Sequence, residues 1–372
     1  MDFSHEYLLE NIPFFNSFLE LEKKGECRVY IVGGAVRDIL LKKQLKDIDI
    51  CIENIDYEKA GDIFSKIIKN KGVSFKDNIR FRKNKIVIDL SKLRGDSIEE
   101  DLKHRDFTIN NLAISLQGKL IGDRKDLDNH IIRIVFDDTF KADPLRILRG
   151  FRFISTFGFD FDDYSLNICK KNIPLLKTVA KERILEELEK LFQGKYLEKA
   201  LNLMDKANVL RDFIDKSELD NKSLIEGIEK SKDFPLLLSL WTCNKKFIEN
   251  LGLAVKDKRD VNFYLGLKDK GLENLDYNQL QRFVFFNIKY IDNALIYVKI
   301  KLNNETLALE IENIKNNINY EAGNMVNGAR LIFLGFKPSP LFTEIIAETS
   351  FMLAVNKLEI NNIDSFILDN WG

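Results

Sequence analysis

The spacing of hydrophobic and polar positions changes character near Asp143-Pro144. Upstream, Val29–Val32 is a short apolar run that ends in two glycines and passes into a helical pattern with Val36, Ile39 and Leu40 on one face. Asp47–Ile52 alternates acid and apolar residues. Ile86–Leu90 and Leu112–Leu116 repeat the strand period, the latter closed by the turn Gln117-Gly118-Lys119. Downstream the helical period dominates: Leu145–Thr156, Glu182–Phe192 and Tyr196–Val209 read as helices, with more to follow. Pro and Gly are sparse until Gly323–Pro340, which reads as a connection between late helices. The pattern predicts an α+β class, with a small mixed sheet and helices at the head and an all-helical remainder.

Composition adds bounds. A chain of 372 residues is long enough to need two or more domains. Its 57 Lys and Arg nearly balance its 58 Asp and Glu, so net charge neither requires nor excludes a nucleic-acid partner, which depends on clustering. Cys27, Cys51, Cys169 and Cys243 are scattered without a CxxC, and His5, His104 and His130 are the only histidines. That argues against a zinc site or a disulfide framework. No apolar run approaches the length of a membrane span, and the N-terminus lacks a basic stretch followed by an apolar one. A cytoplasmic protein without a membrane partner is the expectation.

The chemistry begins with Asp47-Ile48-Asp49-Ile50-Cys51-Ile52. On a strand, Asp47 and Asp49 share a face while Ile48, Ile50 and Ile52 point into a core and fix the register. Two like charges so close are costly unless a cation sits between them. Phosphoryl transfer gives a reason to hold them there, because two Mg²⁺ ions roughly 3.5–4 Å apart serve both the attacking and the leaving oxygen. Asp89, opposite the apolar face of Ile86–Leu90, is the candidate third acid. The alternative is an edge strand with solvated acids. Gly33 and Gly34, between a strand and a helix, let backbone approach a phosphate, and Arg37 offers a cation for a triphosphate. An ordinary strand-to-helix turn is the alternative there.

Taken together, Gly33-Gly34-Ala35-Val36-Arg37-Asp38 and Asp47-Ile48-Asp49 resemble the first motif of the class II tRNA nucleotidyltransferases, the CCA-adding enzymes and their poly(A) polymerase relatives. Arg105-Asp106-Phe107-Thr108-Ile109-Asn110 is similar to the second motif, where the family reads ribose and phosphates. Asp143-Pro144-Leu145-Arg146-Ile147-Leu148-Arg149 with Arg152-Phe153 resembles the base-selecting motif, Glu182-Arg183-Ile184 through Leu188 the helix that buttresses it, and Leu334–Pro340 a tail segment. The resemblance implies a polymerase β-like catalytic head over residues 1–138, a helical neck at 139–200, a body at 201–300 and a tail at 301–372 that holds tRNA. It further implies nucleotide contacts from Gly33, Gly34, Arg37, Arg105, Asp106, Asn110, Asp143, Arg146, Arg149 and Arg152, with Mg²⁺ on Asp47 and Asp49.

Asp143 and Arg146, three apart at a helix start, offer an acceptor beside a donor. That pair suits the amine and ring acceptor of cytosine or adenine and mismatches uracil and guanine. An Asp before Pro is equally what a helix cap looks like. Asp106 either accepts from a ribose 2′-hydroxyl or stabilises a turn. Three departures from the family pattern stand out: His104 in place of a first arginine, Ala142 in place of a glutamate, and only Gly95–Glu100 between Arg94 and Asp101 where full CCA-adding members carry a longer flexible loop. Members that add only C lack that loop. The expectation is therefore addition of CC to tRNA from CTP, with a separate enzyme supplying A. Complete CCA addition with ATP, poly(A) synthesis and non-catalytic tRNA binding are the alternatives.

Overall fold

In a computed structural model that describes residues 2–75 and 78–372, the chain divides into two compact units, Met1–Lys216 and Ser217–Gly372. The class is α+β. In the first unit seven strands form one sheet: β1 (Arg28–Val32), β2 (Asp47–Glu53), β3 (Val73–Ser74), β4 (Asn78–Lys83), β5 (Ile86–Lys92), β6 (Ala113–Ser115) and β7 (Leu120–Ile121). Their order is β3-β4-β5-β2-β1-β6-β7. All neighbours are antiparallel except β2 and β5, which run parallel. The four sequence-predicted strands are present within two residues of their expected limits; β3, β4 and β7 are additional.

Alternation along β2 decides which way the acids face. Ile48, Ile50 and Ile52 are buried, as are Ile88 and Leu90 on β5. Against that apolar face pack the helices Phe15–Gly25 and Tyr57–Ile68, whose Phe18 and Phe64 stack at 5.6 Å, with Phe81 of β4 meeting Phe64 edge-on at 5.1 Å. Asp56 caps the second helix through the Glu58 and Lys59 amides. Slipping β2 by one residue would drive its acids into this layer, so the core itself holds them on the opposite face. β4 and β5 are joined at Asn84 and Lys85, both left-handed (φ 52° and 64°), the geometry of a two-residue hairpin turn.

The same unit continues into helices. Arg146–Phe157 packs against Lys181–Phe192 and Leu197–Ala207, with Ile147, Phe151, Ile154, Leu188, Leu191 and Leu201 at or near zero exposure. The second unit is all-helical and centred on Tyr264, Leu267, Ile291, Tyr297, Ile311 and Ile314. Residues 323–340, expected as a connection, instead carry the short helix Gly328–Phe333 and the end of Tyr320–Gly323. Asn327 caps the former and Asn319 the latter, an Asn-led signal that a Pro/Gly count overlooks. No helix among the described residues is long and apolar enough to cross a membrane.

Candidate active site

β1 ends at Val32, directly opposite Asp49 in the ladder, and the chain then turns through Gly33 into the helix Gly34–Leu40. Gly33 has φ 65° and ψ −126°, open only to glycine, and a Cβ there would lie 2.6 Å from the Arg105 Nη1. The turn, the acids of β2 and the arginines therefore meet at one place. A cavity of about 310 Å³ is lined by Gly33, Gly34, Asp49, Arg105, Asp106, Asn110, Asp143, Arg146 and Arg149. A neighbouring cavity of about 550 Å³ is lined by Arg37, Asp47, Asp89 and Arg152 and shares Gly34, Asp49, Asn110 and Arg149 with the first. Every sequence-predicted site residue lines one of the two.

Asp47, Asp49 and Asp89 lie on one face, and Asp49 pairs in register with Asp89 across the parallel strands. Burial raises the Asp49 carboxyl to about 6; Asp89 and Asp47 push the same way, against Arg105 and Arg149. Asp89 departs from its expected role. Both its oxygens are taken at 2.8 Å by Nε and Nη2 of Arg80, and among the described residues no group of three or more His, Cys, Asp and Glu is gathered to hold an ion. What remains, the carboxylates of Asp47 and Asp49 two apart on a strand, is an all-oxygen donor pair. It fits Mg²⁺, which takes few protein ligands and completes its shell with water and substrate phosphate.

A hydrogen-bonded chain ties the elements together behind this pair. Arg37 donates to Asn110 Oδ1 at 2.7 Å, and Asn110 Nδ2 donates to Asp106 Oδ1 at 3.0 Å. Arg149 donates twice to Asp106 Oδ2, at 2.9 and 2.7 Å. With the Phe107 amide also on Oδ1, two donors occupy each oxygen of Asp106, so it presents no free acceptor for a ribose hydroxyl and serves to aim Arg149. Burial opposes ionisation of Asp106, but Arg149 and Asn110 outweigh it and hold the carboxyl at about 2. Arg37, expected on the triphosphate, is buried beneath the Phe157 ring (4.5 Å to its centroid) and paired with Asp38. Arg152 is likewise turned onto the buried Glu187 at 2.9 Å. Both line the second cavity with their guanidinium groups already engaged by an acid, so they brace its wall.

Asp143 accepts from the Leu145 amide at 3.2 Å and from Arg183 at 3.0 Å. Its cap-like contact and its place in the cavity coexist, as one residue with four lone-pair positions permits. Arg146, buried, donates to Thr139 Oγ1 at 2.7 Å and to the His104 carbonyl at 2.9 Å. That same carbonyl accepts from Arg94 at 3.3 Å. Position 104 thus acts through its backbone, and its exposed ring leaves the arginine anchor intact. Residues 95–100 form an ordered link: Ser97 caps the helix Ile98–Lys103, and the buried Asp101 accepts from the Arg94 amide (3.1 Å) and twice from Arg105 (3.0 and 2.7 Å).

Residues missed by sequence reasoning are Lys92, Arg94 and Asp101 in the first cavity and Lys46 and Arg80 in the second. Asp101 was detectable from its i, i+4 spacing to Arg105. Arg80 depends on a hairpin register that alternation in one strand does not reveal.

Residues 29–133 match the model of the poly A polymerase head domain, and residues 158–220 that of a probable RNA and SrmB-binding site of polymerase A. A CCA-adding enzyme of Streptococcus gordonii is 30% identical over 289 residues, covering 65% of this chain and 72% of that protein. A CC-adding tRNA nucleotidyltransferase of Halalkalibacterium halodurans is 35% identical over 227 residues, covering 59% of this chain and 58% of that one. The structure of the Thermotoga maritima CCA-adding enzyme complexed with tRNA_CCA superposes with a TM-score of 0.69 at 22% identity, over 100% of this chain and 99% of that one, a likeness of fold.

Proposed function

Because the chain belongs to the tRNA nucleotidyltransferase and poly(A) polymerase family, we propose that it adds CC to the 3′ end of tRNA from CTP, without a template. The observation that carries this reading is the meeting of three features at two adjoining cavities that share Gly34, Asp49, Asn110 and Arg149: the glycine turn, the acid pair Asp47 and Asp49, and the donor–acceptor pair Arg146 and Asp143. The tRNA 3′-hydroxyl attacks the α-phosphorus of the nucleotide and pyrophosphate leaves. Two Mg²⁺ ions, when bound at Asp47 and Asp49, supply Lewis acidity to the attacking and leaving oxygens. The protein's part is to hold the partners in line. Gly33 and Gly34 bring backbone to the phosphates, and Arg105 and Arg149, each fixed by a buried carboxylate, present cations at set positions.

Base choice follows from what Asp143 and Arg146 have left to offer. Arg146 engages two partners and retains further N–H groups; Asp143 retains lone pairs beyond Leu145 and Arg183. Together they accept the cytosine amine and donate to its ring acceptor. Uracil would leave like polarities facing each other, at about 1–3 kcal/mol per unpaired group. This assigns base selection to residues 139–200 of the first unit, and the helical remainder to tRNA held by shape and backbone.

Restriction to C is supported by the link at 95–100, which is short and closed by its own caps. It leaves no free loop to re-shape the cavity for A, so A falls to a separate enzyme. The test is product length on tRNA lacking its 3′ end, with CTP and ATP together. Products two nucleotides longer are expected. Products three longer, ending in A, would assign complete CCA addition, and long A tails on varied RNAs would assign poly(A) synthesis. Retained tRNA binding with no extension would make it a binding protein.

A further inference from the structure

The ladder places four side chains in a row across the sheet: Arg80 on β4 opposite Asp89 on β5, Asp89 beside Asp49 on β2, and Asp49 opposite Val32 on β1. One step along lies Arg82, opposite Val87, which is itself beside Asp47. Arg80 grips Asp89 through two parallel hydrogen bonds of 2.8 Å, the strongest arrangement open to a carboxylate and a guanidinium, while its outer side faces the Phe75 ring at 5.6 Å. For Asp89 to turn to a divalent ion, both bonds would have to break. A cation is thus built into the outer end of the acid row, two strand spacings (about 10 Å) from Asp49. Arg37, Lys46, Arg149 and Arg152 line the same cavity, but Arg37, Arg149 and Arg152 already face Asp38, Asp106 and Glu187. Among the described residues, Arg80 is the one hydrogen-bonded to an acid of the row itself.

We propose that Arg80 is a positioning residue that neutralises Asp89 and thereby sets how tightly divalent ions are held at Asp47 and Asp49. The inference rests on the reading of those two acids as the metal pair. Asp89 is then the tether of an internal counter-cation and not a third ligand. A fixed positive charge at that distance weakens a doubly charged ion moderately, since solvent and salt screen a guanidinium that is partly exposed. The negative charge of a triphosphate offsets that weakening, which couples metal loading to nucleotide binding.

The test is a Mn²⁺ titration of metal-free full-length protein without nucleotide, followed by the electron paramagnetic resonance signal of free Mn²⁺. Arg80→Gln is expected to bind about fivefold to tenfold more tightly than the parent. Tighter binding cannot arise from damage to the fold. Arg80→Lys, which keeps the charge, should stay within about twofold of the parent, and Arg80→Gln combined with Asp89→Asn within about threefold, because the two charges leave together. Unchanged or weaker binding by Arg80→Gln would overturn the proposal, as would a double variant as weak as Asp49→Asn, which would make Asp89 a ligand. Asp49→Asn itself is expected to abolish binding. If it bound Mn²⁺ like the parent, the metal-pair reading would fail independently of Arg80.

Discussion

Replacing Asp106 by Asn keeps the size of the side chain at the centre of the buried network and removes its charge. Asp106 takes four hydrogen bonds, from the Phe107 amide, Asn110 and Arg149 twice. An Asn carbonyl can keep those on one oxygen but turns N–H toward the donors on the other, so the two charge-assisted bonds from Arg149 are lost. At about 1.5–3 kcal/mol for bonding to a charged group, and with Asp49, Glu187 and Asp143 left to balance Arg149 in part, the cost is about 3 kcal/mol. An independent route agrees in scale: a carboxyl held at about 2 against a usual 3.8 corresponds to about 2 kcal/mol of linked stability. Because the folded value is the lower one, this contribution is present above the unfolded value and lost as pH falls through the folded one. The gap between parent and variant should therefore be full at pH 7, shrink below about pH 4 and be mostly gone by about pH 2.

The assay has to report on the first unit. Both tryptophans, Trp241 and Trp371, lie in the second, so their fluorescence is the wrong probe. Native-state hydrogen exchange at the Ile31 and Ile50 amides, on adjacent strands of the sheet, reads the relevant unfolding. Protection should fall by about thirtyfold or more at neutral pH. Unchanged protection at pH 7, or a difference at pH 2 as large as that at pH 7, would refute the account of Asp106 as the ionised hub.

Other substitutions probe the remaining parts of the site. Gly33→Ala forces a methyl group to 2.6 Å from Arg105 at a φ of 65°, and should cost about 1–3 kcal/mol of stability and raise the KM for CTP. Arg183→Ala removes a half-exposed ion pair, so stability should change by less than about 1 kcal/mol. Its effect belongs in selectivity: with Asp143 less restrained, the preference for CTP over UTP in single-nucleotide extension should drop about tenfold, and an unchanged ratio would separate Arg183 from base choice. The Asp49 carboxyl, raised to about 6, must ionise to hold a cation. At subsaturating Mg²⁺ the initial rate should climb about tenfold per pH unit below 6 and level off above it, with a flat profile counting against the assignment.

How much of this was legible in the sequence depends on the range of the signal. Period-two alternation in Asp47–Glu53 and Ile86–Lys92 is local, and it correctly set the acids against the buried isoleucines. The glycine turn was equally local. Pairings across the ladder were not. That Arg80 faces Asp89, or that Asp106 is saturated by Arg149 from 43 residues away, follows from topology and cannot be read from spacing along one segment. The arginines mark the sharpest divide. Charge and position nominated Arg37 as a phosphate ligand and left Arg152 either to serve the triphosphate or to pack against an acidic neighbour; in the structure Arg37 lies under Phe157 and Arg152 faces Glu187. Desolvation and partner choice decide where a guanidinium points, and neither is visible in a list of basic residues.

The hairpin joining β4 to β5 ties electrostatics to packing in a way that limits how this enzyme can change. Arg80 and Arg82 alternate with Ile79 and Phe81, and Phe81 is sealed against Phe64. Deleting one residue from this strand would exchange the two sets, exposing an aromatic ring and burying two guanidinium groups at a single stroke. Length variation is therefore disfavoured in the segment, and adaptation of ion affinity is channelled into point replacement at position 80, whose side chain is only partly buried.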